Sequence, residues 1–209
     1  MRVGGSGAML LTIPEVQKEL NITADQKKQL ETLGQGIRQK VQASMGQIDF
    51  QELRNLSAEE REKRFGEMRK KFEEATKGVD EQVAKVLDAK QVDRLHQLQL
   101  QRDGAMALTR PEVIKKLDLS EEQVAKIKKI QEAARPQGRA GFDRNQSDED
   151  RQAARKKMRE QTEKAHTECL AVLNDDQMLE WTNMCGKTFK FPERQGFGRG
   201  NRQRTPPNP

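Results

Sequence analysis

The residues with the most evident chemistry in this sequence are two histidines and two cysteines. His166 and Cys169 are three positions apart, which places them on one face of a helix, and Cys185 follows on the next predicted helix. Histidine and cysteine side chains that converge can bind zinc. Two cysteines can instead form a disulfide if their Cα atoms lie within about 7 Å. A metal site, a disulfide and two free thiols are therefore the alternatives for this cluster.

The spacing of the two cysteines favours free thiols. The predicted helix hairpin turns near Asn174, with Cys169 shortly before the turn and Cys185 well after it. At about 1.5 Å of rise per residue, the two positions differ by roughly 9 Å along the hairpin axis. We therefore expect free or buried thiols and no bound metal or other cofactor. His166 and Cys169 remain the residues to test for metal binding.

No constellation typical of catalysis accompanies these residues. His96 stands alone, the chain has no tyrosine, and it contains neither a phosphate-binding glycine loop nor a nucleophile motif. We therefore predict that the protein is not an enzyme.

The helices that position these residues belong to an internal repeat. Leu-Thr-Ile-Pro-Glu-Val at residues 11–16 recurs as Leu-Thr-Arg-Pro-Glu-Val at residues 108–113, an offset of 97. Val-Leu-Asp-Ala-Lys-Gln at residues 86–91 recurs as Val-Leu-Asn-Asp-Asp-Gln at residues 172–177, an offset of 86. A repeat this long indicates two copies of one structural unit. The prediction is an all-α fold, in which a four-helix hairpin-like unit occurs twice in tandem in an elongated bundle or cradle.

The repeat divides the chain into four predicted regions. They are a flexible N-terminus over residues 1–10, helical repeats over residues 11–104 and 105–189, and a basic tail over residues 190–209. The tail is rich in Gly, Arg, Asn and Pro, a composition typical of disorder. In the first repeat, the pattern predicts one long helix that starts after Ser57 and carries apolar residues from Phe65 to Val86.

Four motifs mark predicted helix starts, two in each copy. Each places a capping residue after Leu or Ile, and a glutamine three positions after the cap. The short polar side chain can accept a hydrogen bond from the first turn, and the glutamine can reach back to the N–H of the capping residue. Capping alone and a further shared role both remain open. The motif residues are Thr23 with Gln26, Asp88 with Gln91, Ser120 with Gln123, and Asn174 with Gln177.

At these motifs the sequence resembles the Spy/CpxP family of envelope stress proteins, whose signature Leu-Thr-x-x-Gln occurs twice per subunit. The counterparts here are Ile-Thr-Ala-Asp-Gln at residues 22–26, Leu-Asp-Ala-Lys-Gln at 87–91, Leu-Ser-Glu-Glu-Gln at 119–123 and Leu-Asn-Asp-Asp-Gln at 173–177. Only the first has Thr at the cap. The resemblance spans roughly residues 11–189. Family members are small periplasmic all-helical proteins that form cradle-shaped dimers.

The best-known members of that family are ATP-independent chaperones, and relatives bind metals or modulate sensor kinases. The resemblance therefore implies a periplasmic or extracytoplasmic stress protein that binds unfolded or partly folded polypeptides. A metal-responsive protein, and a non-catalytic structural or regulatory partner-binding module, are the alternatives. Because this chain carries four motifs rather than two, we expect an intramolecular pseudo-dimer, with a homodimer as the alternative.

Charge and hydropathy limit the remaining partners. The net charge is +6, but six basic residues and one acidic residue lie from Lys187 onward, so the preceding chain carries only about +1. We therefore expect no specific nucleic-acid partner. No apolar run approaches the roughly 18 residues of a transmembrane helix. The residues after Met1 do not form a secretory signal, so a cytoplasmic location remains an alternative.

An apolar cluster lies near the end of the second repeat. Two interpretations are open, closure of the hydrophobic core and an exposed patch for clients. The cluster consists of Met178, Trp181, Met184, Phe189 and Phe191.

Overall fold

The computed structural model describes residues 5–45, 56–134 and 147–192, and within these ranges the chain forms helices and no β-strand. The predicted all-α class is therefore confirmed. No helix in the described ranges is both long and apolar enough to cross a bilayer. Of the predicted disordered tail over residues 190–209, only residues 190–192 are described, and among them Phe191 packs on a hydrophobic core; the rest lies outside the described residues.

The first half of the chain combines short helices near its start with long ones further on. They are α1 (Gly5–Leu10), α2 (Pro14–Glu19), α3 (Ala24–Met45), α4 (Ala58–Thr76), α5 (Val79–Val86) and α6 (Ala89–Asp103).

The second half opens with a 3-10 helix in place of α1. Its elements are the 3-10 helix (Gly104–Thr109), α7 (Pro111–Lys116), α8 (Glu121–Ala133), α9 (Asp148–Leu170) and α10 (Asp175–Cys185). Pro14 and Pro111 occupy the first turns of α2 and α7, where a missing N–H leaves no helical hydrogen bond unmade.

The long helix predicted from Ser57 to Val86 is wrong in one respect, because the chain breaks it into α4 and α5. Ser57 does cap α4, together with Glu60. Gly78 then adopts a left-handed conformation with φ of 78°, which glycine tolerates because it has no Cβ. The apolar spacing continues across the break and conceals it. At the matching position of the second half stands Lys164, and α9 runs through it unbroken.

Helix α1 occupies part of the segment that we expected to be flexible. Leu10 at its end is completely buried, so hydrophobic burial holds this helix in place. The sequence carries a sign of it, since Gly-Ala-Met at residues 7–9 recurs at residues 104–106, in the 3-10 helix. The repeated sequence therefore starts several residues before Leu11.

Two hydrophobic clusters form the interior. In the described residues, the N-terminal core consists of residues of α1, α2, α5 and α6 with Leu11, Leu20 and Leu87, and the C-terminal core extends from Leu100 to Trp181. Helices α6 and α10, which follow the second motif of each half, pack against each other.

The apolar cluster near the chain end divides between the two cores. Met178, Trp181 and Met184 join the C-terminal core, whereas Phe189 and Phe191 pack on the N-terminal core. The interpretation of these residues as core closure is confirmed, with the addition that they close two different cores.

Candidate functional site

The first two motifs meet through their glutamine side chains. Gln26 Nε2 donates to Gln91 Oε1 at 2.7 Å, and Gln91 Nε2 donates back to Gln26 Oε1 at 3.1 Å. Each amide also reaches the main chain beside the other motif, with Gln26 Nε2 at 2.9 Å from Val86 O and Gln91 Nε2 at 3.0 Å from Leu20 O. The starts of α3 and α6 are thereby tied together.

The same two glutamines close the capping boxes of their own helices. Thr23 donates its N–H to Gln26 Oε1 at 3.0 Å, and Asp88 donates its N–H to Gln91 Oε1 at 3.0 Å. In return, the backbone N–H groups of the two glutamines donate to the side-chain oxygens of Thr23 and Asp88. The structure thus contains the capping bonds that the sequence predicts, and the amide pair in addition.

The second half repeats this arrangement. Gln123 Nε2 donates to Gln177 Oε1 at 2.7 Å, and the return bond measures 3.1 Å. Gln123 Nε2 also donates to Val172 O at 3.0 Å, the counterpart of the bond to residue 86. Capping boxes at Ser120 and Asn174 start α8 and α10. Both halves therefore hold their two helix starts by one reciprocal glutamine pair.

A residue in the left-handed conformation lies beside each glutamine pair. Asn21 and Asp118, with φ of 50° and 49°, are the non-glycine residues with positive φ in the described ranges. Asn and Asp tolerate this conformation better than other side chains. The turn places a carbonyl within reach of the opposite amide: Leu20 O accepts from Gln91, and Asp118 O accepts from Gln177 at 3.4 Å.

The pairing is the feature that the sequence did not reveal. The paired glutamines are 65 positions apart in the first half and 54 in the second. Capping joins residues three positions apart and can be recognised locally, whereas pairing depends on the packing of α3 against the elements around α6. The one feature of the sequence that could have indicated the pairing is that each copy contains two such motifs. The pair carries no reactive group, so we assign it a structural role.

The structure does not bring His166 and Cys169 together. Cys169 is 1% exposed, and its Sγ lies 4.0 Å from Ile127 O, while His166 is exposed on the same helix. Cys169 and Cys185 are free cysteines. In the part of the chain that the structure describes, no three His, Cys, Asp or Glu residues lie in a metal-binding group.

Burial makes the two thiols poor nucleophiles and poor metal ligands. It raises the pKa of Cys185 to about 11, and it raises the pKa of Cys169 as well, with the nearby Glu168 carboxylate adding to the effect. The thiolate is the reactive and metal-binding form, so a raised pKa suppresses both activities at neutral pH.

His96 lies on α6 away from the other histidine and both cysteines in sequence. It is partly buried, and its Nε2 has no hydrogen-bond partner among the described residues. Burial lowers the pKa of this imidazole, and the charges of Asp93 and Glu112 partly oppose the shift. Burial therefore favours the neutral form of His96.

Large apolar side chains are exposed at matched positions of the two halves. Phe72 on α4 is 46% exposed, and Met158 on α9, at an offset of 86, is 48% exposed. Met9 and Met106, at an offset of 97, are also exposed. Exposed charged residues flank both helix positions: Lys71, Glu73, Lys157 and Arg159.

An open groove lies between α3 and α5 in the first half. Its volume is about 470 Å³. Leu33 and Val86 line it together with polar residues, which are Lys28, Gln29, Thr32, Gln82 and Lys85. The groove thus combines an apolar element with positive charge.

An ion pair recurs in the two halves with its charges exchanged. Glu19 Oε1 lies 2.7 Å from Arg94 Nη2 in the first half, and Lys116 Nζ lies 3.3 Å from Glu180 Oε1 in the second. The positions correspond at offsets of 97 and 86. Each pair joins the end of a short helix to the helix after the second motif.

In the comparisons with known proteins, no protein-family model, curated protein or solved structure matches this chain.

Proposed function

We propose that this protein is an ATP-independent, chaperone-like protein of an extracytoplasmic compartment that binds unfolded or partly folded polypeptides. The observation that carries the proposal is the exposure of Phe72 and Met158 at matched positions of two long helices. The resemblance to Spy/CpxP proteins supports the same function and is the basis for the compartment.

The surface around these residues suits a binding partner without fixed sequence. Phe72 and Met158 offer apolar contact, and methionine adapts its shape because its side chain is unbranched and flexible. Neighbouring residues of both signs, Lys71 and Glu73 on α4, can pair with charges of either sign on a client. Such contacts are individually weak, which favours release of the client without nucleotide hydrolysis.

We further propose that the two halves are copies of one Spy-like unit and form a pseudo-dimer within the chain. Four features support this: the two glutamine pairs, the two left-handed turns, the exchanged ion pair, and the packing of α6 on α10. Light scattering should then find a monomer. An obligate dimer whose interface joins equivalent copies would refute this arrangement.

Suppression of aggregation tests the chaperone function. A chemically denatured client is diluted into buffer with and without the protein, and light scattering is followed in the absence of nucleotide. We expect protection at a stoichiometric ratio. The double variant Phe72→Ser with Met158→Ser should lose most of it, because the replacement removes the exposed apolar contacts and leaves both cores intact.

The matched control replaces Lys70 and Lys156 with serine; both are exposed and lie two positions before Phe72 and Met158 on the same helices, hence on a different helix face. This control should retain at least half of the protection. No protection by the wild type at several-fold excess would reject the chaperone function. A single dominant partner in a pull-down would then favour the regulatory-module alternative.

A further inference from the structure

The chain leaves α10 and returns to the first half. Residues 186–191, here called the C-terminal strap, form no helix and run along α6. At its end, Phe189 and Phe191 pack edge-to-face, with ring centroids 4.9 Å apart and planes at 83°. Both rings contact the N-terminal core, which is otherwise built from residues of the first half.

Side chains of the first half form hydrogen bonds with main-chain groups of the strap and of the residue before it. Gln101 Nε2 donates to Cys185 O at 2.7 Å and to Lys187 O at 2.8 Å, and Gln101 Oε1 accepts from the N–H of Phe189 at 2.8 Å. Arg94 Nη2 donates to Lys187 O at 2.8 Å. The side chains of Lys187 and of residues 188 and 190 are exposed and play no part in these bonds.

Arg94, one of the two residues that make these bonds, is held in position independently of the strap. Glu19 Oε1 accepts from Arg94 Nε at 2.9 Å and from Arg94 Nη2 at 2.7 Å, and Gln97 Oε1 accepts from Arg94 Nη1 at 2.8 Å. A donor that is already oriented loses little side-chain entropy when it binds a peptide carbonyl. The seat of the strap is defined as Arg94, Gln101 and the adjoining surface of the N-terminal core, and its Arg94 donor is therefore preorganised.

Main-chain hydrogen bonds combined with pockets for alternate side chains are a general way to bind an extended polypeptide. The seat meets both conditions, since it bonds two main-chain groups of the strap, Lys187 O and the Phe189 N–H, and contacts every second side chain, Phe189 and Phe191. The matched positions of the second half lack this chemistry: Glu180 stands in place of Arg94, and Lys187 in place of Gln101.

We propose that this seat is a binding site for extended polypeptide segments that carry two aromatic residues separated by one residue, and that the strap occupies it in cis as a competitor. The inference rests on the proposed function, for which it defines one class of client segment and one means of regulation. A tethered strap acts at an effective concentration on the order of millimolar. It therefore excludes weakly binding segments and yields to abundant or tightly binding ones.

Peptide binding to the full-length protein tests the seat. The probe is a fluorescein-labelled peptide with the sequence of the strap, Gly-Lys-Thr-Phe-Lys-Phe-Pro, and its control has both phenylalanines replaced by serine. Fluorescence anisotropy gives Kd for the wild type and for Phe189→Ser with Phe191→Ser. The double variant, here called the released variant because its strap should leave the seat, should bind the probe about tenfold more tightly than the wild type, since its own strap no longer competes. The control peptide should bind neither protein.

A second variant releases the strap without changing an aromatic residue. Gly186 has φ of 63° and ψ of −158°, a backbone conformation that essentially only glycine adopts without strain. Gly186→Ala should therefore lift the strap and give the same gain in affinity. Adding Gln101→Ala to either variant should abolish that gain. A folded released variant that binds the probe no more tightly than the wild type would overturn the proposal.

The wild type supplies a test that needs no variant. The Phe189 amide is bonded to Gln101 Oε1, so an excess of unlabelled strap peptide should accelerate its hydrogen exchange severalfold, and the serine peptide should not. Unchanged exchange at millimolar peptide contradicts the seat even if both released variants fail to fold. Probe binding without any protection of a denatured client rejects the chaperone function alone. Protection without probe binding rejects the seat alone.

Discussion

Replacement of Gln91 by alanine tests the glutamine pair most directly. Gln91 is 8% exposed, and its side chain takes part in five hydrogen bonds: two with Gln26, one to Leu20 O, a longer one to Asn21 O and one from the Asp88 N–H. Alanine removes all five. It leaves the Leu20 carbonyl and the amide of Gln26 without these partners in a region where water has limited access.

The expected loss in the free energy of unfolding follows from the contribution of these hydrogen bonds to stability. A net hydrogen bond contributes about 1 kcal/mol, and a buried polar group left unpaired costs about 1–3 kcal/mol. Part of this is offset because alanine loses no side-chain entropy on folding. We therefore expect Gln91→Ala to lower the free energy of unfolding by about 3 kcal/mol. In a double-mutant cycle with Gln26→Ala, the coupling energy should be about 1–2 kcal/mol.

The assay is urea unfolding followed by far-UV circular dichroism, with Trp181 fluorescence as a separate probe of the second half. Glu60→Ala is the matched control, because Glu60 closes a capping box with Ser57 on an exposed helix end and has no glutamine partner. Gln91→Ala should destabilise the protein clearly more than Glu60→Ala does. Equal losses, or a coupling energy near zero, would refute a contribution of the pair beyond capping.

Three further predictions concern single sites. His96→Gln should reduce the loss of stability that the wild type shows at acidic pH. The pKa of His96 in the folded state lies below the ordinary 6.5, so its contribution to the free energy of unfolding is complete above pH 6.5 and declines as the pH falls towards the lowered value. Urea unfolding midpoints of both proteins from pH 5 to 8 measure this, and parallel pH profiles of the wild type and the variant would contradict it. Cys185, with a pKa of about 11, should react with iodoacetamide at pH 8 at least tenfold more slowly in the folded protein than in the urea-unfolded chain. Equal reaction rates in the two states would contradict the burial of this thiol. Glu19→Lys should destabilise the protein by about 1–2 kcal/mol, because Glu19 and Arg94 are only partly exposed. Arg94→Glu alone also removes the bonds to Lys187 O and Gln97 Oε1. The two changes together should therefore cost less than the sum of the single changes, because they recreate the polarity of the second half, and additive losses would contradict this.

Much of the helix pattern was predictable because helix starts depend on neighbours in the sequence. Ser57 with Glu60, and each capping residue with its glutamine, lie three positions apart, so the sequence shows the complete motif. The break at Gly78 was missed because the apolar spacing runs through it. Helix α1 was missed because its glycine-rich sequence suggested flexibility, whereas the burial of Leu10 holds it in place.

The candidate sites were less predictable, because burial and pairing depend on distant residues. His166 and Cys169 share a helix and a spacing, yet packing against Ile127 buries only the cysteine. For the phenylalanines near the chain end, core closure was one of two interpretations, and neither predicted that they pack on the core of the other half.

By itself, the sequence determined the all-helical class, the positions where most helices begin, the four capping motifs and the near-neutral charge of the chain before its tail. These properties arise from residue composition and from contacts within one helical turn. Only the tertiary structure decided which glutamines pair, which thiol is buried and where the strap lies. Each of those outcomes joins residues tens of positions apart, and the bonds exist only once the packing of α6, α10 and the two cores has brought the partners together.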